Sequence, residues 1–190
     1  MTIKETIAQH QKCINDILCS EECLRAVKQS IDLICETYNN SGKTLFCGNG
    51  GSAADCEHLA GELSGRFILD RRPLNAEALH TSGSALTAIS NDYSYEQAYA
   101  RLLEAKVNEA DVLIAISTSG QSVNVINAII KARALNLKII TITGHDAGDF
   151  HQHSDVSIII PSDNTARIQE SYMLLGHIIC ENVEQNLFGS

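Results

Sequence analysis

Three features of this sequence predict an α/β fold with a five-stranded parallel sheet flanked by helices. Five short apolar runs, most of them rich in Val, Ile and Thr, are too brief for helices and suit buried strands. Helical segments separate most of these runs, an alternation that argues for parallel strands joined by crossover helices. Turns rich in Gly and Ser follow the first and third runs, at the strand ends where open parallel sheets bind ligands. The 190 residues suffice for one compact domain spanning 1–190, with a helical segment over 1–41 and an α/β core over 42–190.

Taken in order, the first 41 residues are helical. Leu24, Val27, Ile31, Ile34 and Tyr38 recur at three- and four-residue steps and form a stripe for a core or a subunit contact. The five strands are TLFCG (44–48), LNAEAL (74–79), DVLIAIS (111–117), KIITIT (138–143) and DVSIII (155–160), the second having the weakest pattern. Helices are expected over 52–66, over 84–104 with a break, over 121–135 and over about 164–187.

Composition excludes several functions. A net charge of −9 disfavours non-specific nucleic-acid binding, although an acidic protein can bind an anion where its site is locally positive. No run approaches the roughly 18–20 apolar residues of a membrane span, and MTIKETIAQHQKC lacks a secretory core, so a cytoplasmic protein is expected. Seven cysteines without a CxxC pair read as free thiols. Without GxSxG or a Cys in an electropositive setting, the case for nucleophilic hydrolysis is weak.

The first loop, CGNGGS (47–52), lets a ligand approach its backbone at Asn49, Gly50 and Gly51, with Ser52 as helix cap and hydroxyl donor. Its spacing matches neither GxGxxG nor a Walker motif, and a plain strand-to-helix turn is the alternative. The second loop sets Ser117, Thr118, Ser119 and Ser122 around Gly120 at another helix start, where hydroxyls and amides can hold a phosphate without lysine or metal. Further along the first helix, His58 and Glu62 are spaced i, i+4 and leave it on one face, as two metal ligands, a base beside a ligand, or a surface pair. Gln169 and His177 are eight apart, about 12 Å along a helix axis, so their meeting at one point demands long reach or a second subunit.

CGNGGSAADCEH, GRF, SNDY, ISTSGQSVNV and ARIQE with a His eight residues after the Gln together resemble the phosphoheptose isomerases of the sugar isomerase (SIS) domain superfamily. The resemblance covers nearly the whole chain. It implies a flavodoxin-like three-layer fold and a homotetramer with active sites at subunit interfaces, residues 1–41 serving in oligomer packing. By position, Ser52, Ser117, Ser119 and Ser122 become phosphate ligands with Thr118 beside them. Asn49, Asn91 and Asp92 would contact the sugar, and Arg66 would lie near it. Glu62 would be the general base and His177 the general acid, while His58, Glu62, Gln169 and His177 match the zinc ligands of metal-bound members.

The implied activity is conversion of sedoheptulose 7-phosphate to D-glycero-D-manno-heptose 7-phosphate, opening ADP-heptose synthesis for lipopolysaccharide or capsule. The alternatives are an isomerase of another phosphosugar, or a catalytically silent SIS module that binds a sugar phosphate or a partner such as the replication initiator. Leu59 stands where Phe is common, Ala166 where some members carry Asp, and Gly61 interrupts the helix just before the proposed base. That glycine costs about 1 kcal/mol against Ala in a helix interior, which suggests tight packing or local mobility there.

Overall fold

The computed structural model describes residues 2–145 and 148–189. Its elements are α1 (Ile3–Leu18), α2 (Glu21–Asn39), β1 (Thr44–Cys47), α3 (Gly51–Ser64), β2 (Ala76–Ala78), α4 (Gly83–Asp92), α5 (Ala98–Lys106), β3 (Val112–Ser117), α6 (Val123–Ala134), β4 (Lys138–Thr143), β5 (Val156–Ile159) and α7 (Thr165–Phe188). The strands form one parallel sheet in the order β2-β1-β3-β4-β5. The chain therefore reverses its winding between β1 and β3, and the two small-residue loops leave the sheet at that switch point.

The helical N-terminus divides at residues 19–20 because each half has its own cap. Thr2 and Glu5 form a reciprocal capping box on α1, and the Ser20 hydroxyl accepts from the Cys23 N–H at the start of α2. The second strand is shorter than its sequence pattern, with three residues at the sheet edge. Leu74 instead enters the core and donates its N–H to the Leu63 carbonyl, while Leu79 begins a 3-10 turn. The expected break in 84–104 falls at residues 93–97, where Ser94 is fully extended.

Side chains alternate across the sheet, so the central strands β1, β3 and β4 each serve two cores. Phe46, Ile114, Ile116 and Ile140 pack with α1, α2, α3 and α7 on one face. Leu45, Cys47, Leu113 and Ala115 pack with α5 and α6 on the other. A fully buried Leu such as Leu113 contributes about 1.5–3 kcal/mol. All seven cysteines are free, and burial pushes the Cys47 and Cys56 thiols up, leaving them inert at neutral pH.

Helices α3 and α7 run side by side in the same direction, and their seam carries the polar residues of interest. Gly51 faces Gln169, Ser52 meets Tyr172, Leu59 faces Gly176, His58 meets His177, and the chain after α3 meets Glu184. A Cβ at Gly176 would lie 2.8 Å from a Leu59 methyl, so glycine there sets how closely the helices approach.

Candidate active site

The first loop turns into α3 at Gly50, whose φ of 56° favours glycine. Asn49 is already engaged. It exchanges side-chain hydrogen bonds with Asn124 of α6 at 2.8 and 2.9 Å, and accepts another from the Tyr95 hydroxyl at 2.8 Å. The Tyr99 hydroxyl donates to the Gly48 carbonyl from the sheet side. Ser52 is buried, with its Oγ 2.9 Å from the Tyr172 hydroxyl. Three tyrosines thus brace a loop whose exposed backbone at Gly50 and Gly51 stays open to a ligand.

The second loop turns at Gly120 with φ 64°, and its hydroxyls divide in two. Ser117 and Ser122 face each other at 3.1 Å, while the exposed Ser119 takes the Gln121 N–H at 3.2 Å. Thr118 and Ser119 border a recess of about 300 Å³ that Gln121, His145, Ser162 and Thr165 also line.

Along α3, Gly51, Asp55, His58 and Glu62 share one stripe at steps of four, three and four residues. There His58 Nε2 stands 3.1 Å from Glu62 Oε1 and 3.1 Å from His177 Nε2. Phe67 stacks on the His177 ring, centroids 5.6 Å apart. Two imidazole nitrogens at that distance need a proton or a cation between them, since two bare lone pairs would repel. Glu62, His58 and His177 place one donor atom each within 4.8 Å of the others. Adjacent ligands of tetrahedral zinc lie about 3.3 Å apart for bonds of ~2.0 Å, and two His with a carboxylate leave a fourth position open. The residue types fit a metal ion such as zinc.

Gln169 also turns toward α3: its Nε2 donates to Asp55 Oδ2 at 2.6 Å, about one turn before His58. Asn91 and Asp92 end α4 in an exposed position and hydrogen-bond each other at 2.9 Å. Arg66 is exposed too, reaching the Ile68 carbonyl at 3.4 Å. Gly61 faces open space, with nothing within 4 Å of a Cβ built there, so packing within the subunit does not explain it. Sequence reasoning missed Asp55, Tyr172, Tyr95 and Asn124. The α3 stripe was the available signal for Asp55.

A second ion pair closes the far end of the seam. Glu184, 1% exposed, accepts from the backbone N–H groups of Phe67, Ile68 and Leu69 at 2.7–3.0 Å and from Arg71 Nε at 2.9 Å. Burial alone would push its carboxyl up, but those four donors outweigh it and hold the group below the ordinary range. The Arg71 guanidinium also donates to the carbonyls of Glu62, Leu63 and Gly65 at 2.7–3.0 Å, capping α3 just behind the proposed base.

The SIS domain family model matches residues 11–144. A phosphoheptose isomerase of Helicobacter pylori is 47% identical over 184 residues, covering 97% of this chain and 95% of that protein. This chain belongs to the phosphoheptose isomerase family. Among solved structures, the family's members from Neisseria gonorrhoeae (36% identical, TM-score 0.88) and Francisella tularensis (32% identical, TM-score 0.92) each cover 97% of this chain and are themselves covered completely. The chain is thus an enzyme of the isomerase class, and its sheet order and flanking helices are those of the SIS fold. Among the described residues, no helix is long and apolar enough to cross a membrane.

Proposed function

We propose that this protein converts sedoheptulose 7-phosphate to D-glycero-D-manno-heptose 7-phosphate, the first step of ADP-heptose synthesis, in the cytoplasm. The observation that carries this reading is the convergence of His58, Glu62 and His177 on the α3–α7 seam, on the helix that begins at the Gly50–Ser52 loop. Interconverting a ketose and an aldose moves a proton between adjacent carbons through an enediol(ate). Glu62 Oε1 faces His58, which leaves its second oxygen to take the proton from C1 of the ketose and return it to C2. His177, stacked on Phe67, exchanges a proton with the neighbouring sugar oxygens.

The phosphate rests on the backbone of the Gly50–Ser52 turn and on the hydroxyls of Ser52, Ser117, Thr118, Ser119 and Ser122, with Arg66, Asn91 and Asp92 closing over the sugar. A zinc ion held by His58, Glu62 and His177, with Gln169 alongside, would supply positive charge for the enediolate. Assembly is as a homotetramer, with residues 1–41 in the subunit contacts. Ile7, Leu18 and Leu24 on α1 and α2 and Leu174 on α7 are exposed and support it.

A panel of sedoheptulose, hexose and pentose phosphates, assayed before and after chelation and zinc add-back, tests substrate and metal together. Selective turnover of sedoheptulose 7-phosphate that falls on chelation and returns with zinc is expected. Preference for a hexose or pentose phosphate would reassign the substrate, and no turnover of any would leave a silent binding module.

A further inference from the structure

We propose that Asp55 is a positioning residue that fixes the Gln169 carboxamide, turning its nitrogen inward and leaving its oxygen free for substrate or metal. This deepens the isomerase reading and rests on it. Gln169 and His177 stand about 12 Å apart along α7, too far for one point of action by helix geometry alone. The side chain crosses to α3 instead, and its Nε2 ends on Asp55 Oδ2 at 2.6 Å, one turn before His58. A carboxylate only accepts hydrogen bonds, so the amide cannot flip to place its oxygen there.

Two further contacts show that the position is built. A Cβ at residue 51 would lie 2.5 Å from Gln169 Nε2, so the carboxamide lies against α3 only because Gly51 has no side chain. The Tyr172 hydroxyl donates to the same Asp55 oxygen at 2.6 Å from a wholly buried ring, and also meets Ser52 Oγ at 2.9 Å. One carboxylate oxygen thereby ties Gln169 to the Gly50–Ser52 loop. Partners of this kind, one bond removed from the reacting groups, typically carry 10–100-fold in metal affinity or activity.

The test is a double-mutant cycle on full-length protein, reading kcat/KM for sedoheptulose 7-phosphate and zinc affinity by competition with a chelating dye. Asp55→Ala and Gln169→Ala should each cost about 10–100-fold in both readouts, and the double variant should be no worse than Gln169→Ala alone. Asp55→Asn, whose carbonyl oxygen can take both donors, should recover most of the loss, and it covers the case in which Asp55→Ala fails to fold. Losses that multiply in the double variant, an unaffected Asp55→Ala, or an Asn variant as poor as Ala would each overturn the proposal. If the wild-type protein turns over no sedoheptulose 7-phosphate, the functional reading fails by itself, and the zinc affinities of the five proteins still judge Asp55.

Discussion

Glu62 and Glu184 are carboxylates on the same helix seam with opposite degrees of satisfaction. Glu184 is enclosed, with three backbone N–H groups and a guanidinium filling its oxygens. Glu62, its side chain 26% exposed, has His58 as its ion-pair partner and acceptor capacity to spare. The contrast separates structure from chemistry: a saturated buried ion pair fixes backbone, whereas a carboxylate with a free oxygen beside two imidazoles can take up a proton or a metal. Arg71 joins the two, because it neutralises Glu184 while capping the last turn of the helix that carries Glu62.

Four variants probe that contrast, beginning with the largest effect. Glu62→Gln should lower kcat by about 10⁴-fold, the upper end for general acid–base catalysis, with the melting temperature unchanged. Glu184→Ala should instead cost about 3–5 kcal/mol of stability in denaturant unfolding, since it strands the Arg71 charge in a buried setting. His177→Asn should lower kcat by about 10²–10³-fold and leave the fold intact. Gly61→Ala is the mildest: it should stabilise the subunit by up to about 1 kcal/mol, because a methyl there meets open space. A Gly61→Ala protein that loses activity or assembly by light scattering would place that residue against a neighbouring subunit.

The contrast has an acid signature as well. Because folding lowers the Glu184 carboxyl below its unfolded value, its stabilisation is complete above an unfolded carboxyl pKa of about 4.3 and is lost as pH falls through the lower folded value. Stability measured through that window should fall more steeply for the wild-type protein than for Glu184→Gln. Equal slopes would mean that the pair does not hold the 65–72 segment.

The fold was legible because its signals are local. Apolar runs marked the strands, three- and four-residue spacing marked the helices, and the loops after β1 and β3 announced the switch point. The short edge strand β2 was less so, since Leu74 and Leu79 look like strand residues but serve the core and a turn. In the site, the i, i+4 spacing of His58 and Glu62 was readable, and Gln169 and His177 stood out as a second pair whose role came only through resemblance. What escaped depends on pairing across distance: Asp55 with Gln169 and Tyr172, and Arg71 with Glu184, are more than a hundred residues apart in the chain. For Gly61 the sequence suggested tight packing or local mobility, and the subunit itself places no packing partner there.

The most direct test measures turnover of sedoheptulose 7-phosphate and thermal unfolding in parallel on Glu62→Gln and Glu184→Ala. A clean crossing is expected: Glu62→Gln melts like the wild-type protein and is inactive, while Glu184→Ala melts lower and retains most of its turnover per folded molecule. Near-normal turnover by a folded Glu62→Gln protein would contradict it and remove Glu62 as the base.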